Sequence, residues 1–198
     1  LGSIDLEQLS DKDRLHVSVN KVIDEYFAGS EDFTGGYIDT WGGHFPYIVN
    51  QIAGPLIDIP TVLQEQHGVA SRSDADNYLI RLQAFALMVD QVLDKLKADD
   101  KAGIILPKNL FAKTLGYLHG FVAIAGNEHT LVSSFVKKLE QVDAIDGKMR
   151  QQYVNKAIKL VESQIYPAYR QVSSYMAQQQ HRAPEGDGIW AQPGGDAF

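Results

Sequence analysis

The chain has 198 residues, of which 44% are hydrophobic and 22% are charged. These proportions are those of a globular domain and indicate neither a wholly disordered nor a membrane-embedded protein. Acidic residues outnumber basic ones by 25 to 18, which gives a net charge of -7; this charge repels phosphate backbones, so we expect no nucleic-acid partner.

Two further absences in the sequence limit the possible chemistry. The chain has no cysteine, which excludes disulfides, thiolate nucleophiles and cysteine-containing zinc sites. No apolar run approaches the roughly 20 residues that span a bilayer, so we expect no transmembrane segment. Residues 1–5 also lack the basic and apolar regions of a signal peptide.

Helical periodicity dominates the chain and predicts an all-α, mainly helical domain over residues 1–182, with about five helices. The first helix is expected between Ile4 and Phe27, ending before Gly29. Its apolar residues recur at helical spacing and form one stripe: Leu15, Val19, Val22, Ile23 and Tyr26.

The helical period fails over residues 30–68, where glycines and prolines are frequent, and one long irregular loop is predicted there. This loop is rich in aromatic residues: Phe33, Tyr37, Trp41, Phe45 and Tyr47. One interpretation is that these rings close the ends of the helices. The other is an interaction loop presenting Trp41, His44 and Tyr47, because long irregular segments in compact domains are often functional.

Four more helices are predicted after this loop. The first begins near Ser71–Asp76, where serine and aspartate can cap free amides, and its apolar stripe runs from Tyr78 to Leu96. The next two are expected over about 108–122 and 131–142. The last is expected over 148–179, with a kink or break near Tyr166 because Pro167 lies inside it.

Residues 183–198 are rich in glycine and proline and are predicted to form a connector, with Ile189–Ala191 as a short strand. The sequence stops one turn after Trp190. We therefore expect a further C-terminal portion to follow this connector.

No complete catalytic or metal-binding motif is present. A helical zinc hydrolase usually carries two histidines one turn apart around a glutamate, and none of the six histidines meets that pattern. A zinc site from His119, Glu128 and His129 is conceivable, but a hydrogen-bonded or exposed histidine is the commoner case. The pair Asp99 and Asp100, at a helix end, is interpreted as solvated or capping.

Several short patterns follow one another in an informative order along the chain. They are Asp76–Leu82, Gly103–Pro107, Tyr166–Tyr169, Gly188–Trp190 and Pro193–Asp196. This ordered set resembles the N-terminal half of the bacterial domain-of-unknown-function 885 family, and the resemblance runs from about Leu9 to Phe198.

The resemblance implies a large, mainly helical, zinc-dependent peptidase or hydrolase of the bacterial cell envelope or periplasm, often lipid-anchored. In that family the metal-binding helix lies downstream of the matched region. Zinc is therefore expected only in the C-terminal portion, and this chain alone is expected to be inactive. Its implied partners are the C-terminal half of the same polypeptide and a peptide-like substrate.

The resemblance also suggests residues that border the substrate cleft, namely Trp190, Pro193, Gly194 and Asp196. The alternative, of at least equal weight, is that these residues form only a strand and a turn that join two halves of one fold. Arg81 could also line the cleft, although an ion pair with a neighbouring carboxylate is the simpler expectation. The alternative function is a freestanding helical scaffold that captures a protein or peptide through the aromatic loop.

Overall fold

A computed structural model describes residues 6–29, 32–39 and 42–198. The fold is mainly helical, as predicted, and its helices are α1 Asp11–Ala28, α2 Pro55–Glu65, α3 Arg72–Lys101, α4 Lys108–Ala123, α5 Thr130–Leu139, α6 Gly147–Leu160 and α7 Tyr166–Gln179. The strands β1, Tyr37–Asp39, and β2, Gly43–Phe45, pair antiparallel, with Ile38 opposite His44.

Helix α3 is the central element of the body, which comprises α2 to α7. Ser71 caps its first turn by accepting a hydrogen bond from the Asp74 N–H at 3.2 Å, as the sequence predicts. Helices α2, α6 and α7 pack against α3, while α4 packs on α7 and α5 on α2 and α6. The predicted stripe of α3 is buried in this arrangement, and Tyr78 and Leu82 have no exposed surface.

The loop predicted over residues 30–68 contains more regular structure than expected, because α2 and the β1–β2 hairpin lie inside it. Helix α2 tolerates two prolines. Pro55 occupies its first turn, where a missing N–H costs nothing. Pro60 removes the hydrogen bond that the Leu56 carbonyl would otherwise accept. The hydroxyls of Tyr117 and Tyr169 donate to that carbonyl instead, at 2.8 and 2.6 Å.

The long last helix is present but does not break at Pro167. A π-helical turn, Val161–Ile165, joins α6 to α7, and the Tyr166 N–H donates to the Val161 carbonyl across this wider turn. Pro167 follows in the first turn of α7. Widening the helix there relieves the clash that a proline ring makes with the preceding turn. The irregularity is therefore where the sequence predicts it, but the helix continues through it.

The predicted short strand Ile189–Ala191 is wrong, since these residues form a single 3₁₀ turn. A second 3₁₀ turn follows at Gly195–Ala197. A strand needs a partner for its backbone groups, and here the turns satisfy those groups locally: Gln192 N–H donates to the Ile189 carbonyl at 2.8 Å. Within the described ranges, no helix is long and apolar enough to cross a membrane.

Candidate functional site

The irregular segment after α1 and the segment that ends at Phe198 meet beside the end of α3. The Phe198 ring contacts the rings of Phe33 and His44, with centroids 5.1 Å apart in both cases. Phe33 is buried beneath this contact. The structure thus brings together two segments that the sequence predicts as separate candidate surfaces.

Asp99, near the end of α3, anchors the irregular segment. Its side chain is buried and accepts a hydrogen bond from the Gly36 N–H at 3.1 Å. Lys95 forms an ion pair with the same carboxylate and donates to the Thr34 carbonyl at 2.9 Å. Burial raises the pKa of Asp99, although Lys95 and the Gly36 N–H oppose that shift. The pair therefore fixes the backbone at 34–36 onto α3.

Asp100 binds a different part of the chain, the segment that follows α7. Both terminal nitrogens of Arg182 donate to its carboxylate, at 2.9 and 2.8 Å, and the Tyr175 hydroxyl donates at 2.6 Å. These hydrogen bonds, led by Arg182, lower the pKa of Asp100. The prediction that Asp99 and Asp100 are merely solvated or capping is wrong, because each carboxylate joins α3 to a distant segment.

His44 is positioned by the hairpin and by the end of α1. Its Nε2 lies 2.7 Å from the Gly35 carbonyl, so Nε2 carries the proton and donates. Its buried Nδ1 has no hydrogen-bond partner among the described residues. Gly29 packs against this ring at a φ of 71°, and a side chain there would meet Nδ1 at 2.2 Å. The half-buried ring is therefore held between α1 and Phe198.

Residues 183–198 are fixed to the body by Gln192. Its amide donates to the Ile105 carbonyl and accepts from the Ile105 N–H, both at 3.0 Å. Burial raises the pKa of the Tyr47 hydroxyl, and the nearby Gln192 side chain opposes that shift. This buried amide, which no sequence pattern indicates, attaches the C-terminal segment to the body and lies near the loop residue Tyr47.

The four C-terminal residues predicted to line a cleft differ in their surroundings. Trp190 is 73% exposed, and Asp196 is exposed as well. Pro193 packs against Gly103. Gly194 adopts left-handed backbone with a φ of 71°, and a side chain at that position would lie 2.4 Å from the Asp32 carbonyl. A rigid backbone thus presents Trp190 and Asp196 to solvent.

Two predicted site residues are not part of this cluster. Arg81 donates to His67 Nδ1 at 2.6 Å, while His67 Nε2 contacts the Asp74 carbonyl at 3.2 Å. The expected carboxylate partner of Arg81 is thus replaced by a histidine. Trp41 lies outside the described residues, so the interaction loop is represented by His44 and Tyr47, both half-buried.

His129 is buried in the body and caps helix α5. It is 1% exposed and packs against Phe121 and Tyr166, with ring centroids at 4.5 and 5.7 Å. Its Nδ1 accepts the Leu131 N–H at 3.2 Å and so caps α5. Burial lowers the pKa of His129 to about 4. Over the described ranges, no three histidine or carboxylate side chains are grouped so that they could hold a metal.

The family model described as "Bacterial protein of unknown function (DUF885)" matches residues 1–198. The chain belongs to this family. No curated protein matches the chain.

One matching solved structure is that of "the putative lipoprotein from Colwellia psychrerythraea". The two chains are 34% identical and superpose with a TM-score of 0.92. The match covers 98% of this chain but 33% of the Colwellia chain. This DUF885 chain therefore spans about a third of the length of its solved relative, with the same fold.

Proposed function

We propose that this DUF885 chain is the N-terminal helical segment of a metal-dependent hydrolase, with peptide-like substrates, whose metal ligands lie in polypeptide outside these 198 residues. The observation that carries the proposal is the match to a relative three times as long, at 34% identity and a TM-score of 0.92. Such agreement supports one shared fold in which this chain supplies one part.

In this proposal the chain forms one wall of the substrate cleft. The C-terminal segment suits that role, because Gln192 and the Phe198 contacts fix its backbone while Trp190 remains 73% exposed. A rigid, exposed indole provides apolar contact area at low entropic cost. Asp196 adds a carboxylate that can accept hydrogen bonds from a peptide backbone or pair with its amino terminus. Arg81 is not included among the residues proposed to line the cleft, because its guanidinium is hydrogen bonded to His67.

The proposed location is the bacterial cell envelope. Its support is the name of the Colwellia relative, which describes a lipoprotein. The net charge of -7 is compatible with that location, because a net negative charge disfavours binding to nucleic acid, a partner found inside the cell.

The test compares the full-length gene product with residues 1–198 alone. After equilibration with zinc and removal of excess metal, we expect bound zinc and cleavage of a peptide library only in the full-length protein. In that protein, Trp190→Ala and Asp196→Asn should lower kcat/KM about tenfold each, since each removes a substrate contact of roughly 1.4 kcal/mol. Gln178→Ala, at an exposed position of α7, is the matched control.

The same experiment separates this function from a freestanding scaffold. Absence of both metal and cleavage in the full-length protein would overturn the hydrolase. If residues 1–198 instead captured peptides from the library, and Tyr47→Ala abolished capture without lowering the melting temperature, the binding module would replace it.

A further inference from the structure

Helix α1 carries an apolar face that the described structure leaves largely uncovered. Its apolar stripe consists of Leu15, Val19, Val22, Ile23 and Tyr26. These five side chains are between 45% and 67% exposed, and no residue of the 18-residue helix is buried. At 100° per residue the five fall within about a third of the helix circumference. The stripe is therefore a continuous surface rather than scattered exposed residues.

The helix is attached to the rest of the molecule mainly through its C-terminal end. It packs on the β1–β2 hairpin, where Tyr26 lies against Gly43 and Gly29 against His44. The ring of Phe27 is half-buried, and residues from Asp11 to His16 are exposed. Most of the stability of a helix in a protein comes from tertiary packing of its apolar face. The stripe therefore needs a partner.

A membrane surface is a poor partner for this stripe. Helices that lie on membranes combine an apolar face with lysine and arginine on the polar face. The remaining face of α1 has Asp13, Asp24 and Glu25 against Arg14 and Lys21, and the first turn adds one further charge of each sign, Asp11 and Lys12, beside the stripe. This balance gives no attraction to anionic lipid headgroups.

A second copy of the chain is also disfavoured as the partner. Pairing of two α1 helices along the stripe would bury only 18 residues of each helix, or about two and a half heptads, and this contact alone would have to offset the entropy lost when two molecules associate. An element of the same polypeptide is already tethered to α1, so an equally short contact suffices.

We propose that the apolar stripe of α1 is the docking surface for the part of the polypeptide that lies outside these 198 residues. This inference rests on the proposed function only in requiring that such a part exists, as in the relative of which this chain covers 33%. The position of Phe198 supports it. Phe198 touches His44, and His44 touches the end of α1, so polypeptide continuing from Phe198 starts beside the helix that carries the stripe.

Hydrogen exchange on the full-length protein and on residues 1–198 tests the docking surface. Amides 11–28 should exchange at least about tenfold more slowly in the full-length protein, because a covered helix opens less often. Val19→Asp should remove that protection in the full-length protein. The matched control, Asn20→Asp, adds the same charge at the next position, outside the stripe, and should leave the protection unchanged.

Three results would overturn the proposal. Equal exchange of α1 in the two proteins would mean that the stripe stays uncovered. A dimer of residues 1–198 in sedimentation, abolished by Val19→Asp, would identify a second copy as the partner. Protection that appeared only with anionic phosphatidylglycerol vesicles would identify a membrane. Zinc binding and peptide cleavage are measured separately from exchange. Slow exchange of α1 without cleavage would overturn only the proposed hydrolase function. Cleavage without slow exchange would overturn only the proposed docking surface.

Discussion

Helices α1 and α3 show the same apolar periodicity in the sequence, but the apolar face is buried in α3 and exposed in α1. In α3 the stripe is buried against α2, α6 and α7, and Leu82 has no exposed surface. In α1 the equivalent leucine, Leu15, is 63% exposed. Periodicity states which face of a helix needs a partner; it does not state whether that partner lies in the same stretch of chain.

The largest expected effect comes from the same substitution placed in each helix. Leu82→Ala should lower the free energy of unfolding of residues 1–198 by about 4 kcal/mol, because it leaves a cavity in a fully packed core. Leu15→Ala should lower it by less than about 0.5 kcal/mol, because the side chain is already in water. Urea unfolding followed by circular dichroism measures both. Equal losses would mean that the α1 stripe is covered within these 198 residues.

A smaller effect is expected from the buried histidine of the body. His129 has its pKa lowered from 6.5 to about 4 by burial. Below pH 6.5 the His129 side chain becomes protonated in the unfolded chain but stays neutral in the folded protein. Stability conferred by the neutral form is therefore complete above pH 6.5 and is lost as the pH falls toward 4, by about 3 kcal/mol.

Urea unfolding at pH 7 and pH 4.5 checks this prediction by comparing the parent with His129→Asn. Asparagine keeps an acceptor for capping α5 but does not titrate, so the variant should lose about 2.4 kcal/mol less than the parent between pH 7 and pH 4.5. His16→Asn, at an exposed position of α1, should leave the pH dependence unchanged. A His129 variant with the parent's pH dependence would refute the burial of a neutral ring.

The smallest of the three effects concerns the attachment of the C-terminal segment. Gln192→Ala removes both hydrogen bonds to the buried Ile105 backbone, and we expect a loss of about 2 kcal/mol in unfolding free energy. Hydrogen exchange should also increase over residues 189–198 while α1 stays unchanged. Gln178→Ala is the exposed control. If the segment kept its protection without Gln192, the Phe198 contacts would be its main attachment.

The sequence predicts the helices of the body well where a long stripe coincides with clear end signals. Ser71 starts α3 as predicted, and α4 lies within a residue of its expected bounds. Helix α2 is missed because Pro55 and Pro60 are typical of loops, and its stability depends on hydroxyls from Tyr117 and Tyr169, more than 50 residues away.

The candidate site is predicted only in part for the same reason. The sequence singles out His44, Tyr47 and the segment after Arg182, and the structure joins them. It interprets Asp99 as solvated or capping and does not identify Gln192, because an aspartate at a helix end and a glutamine in a turn carry no local sign of burial. Their roles arise from backbone groups 63 and 87 residues away.

By itself the sequence determines the helical class, the family and the faces of α1 and α3 that avoid water, since these depend on residue type and local spacing. The tertiary structure decides which of those faces is covered, which carboxylates are buried, and that the aromatic loop and the C-terminal segment share one surface. Those outcomes depend on contacts between residues far apart in the chain. Burial and hydrogen-bond satisfaction belong to the assembled fold, and no local window of sequence contains them.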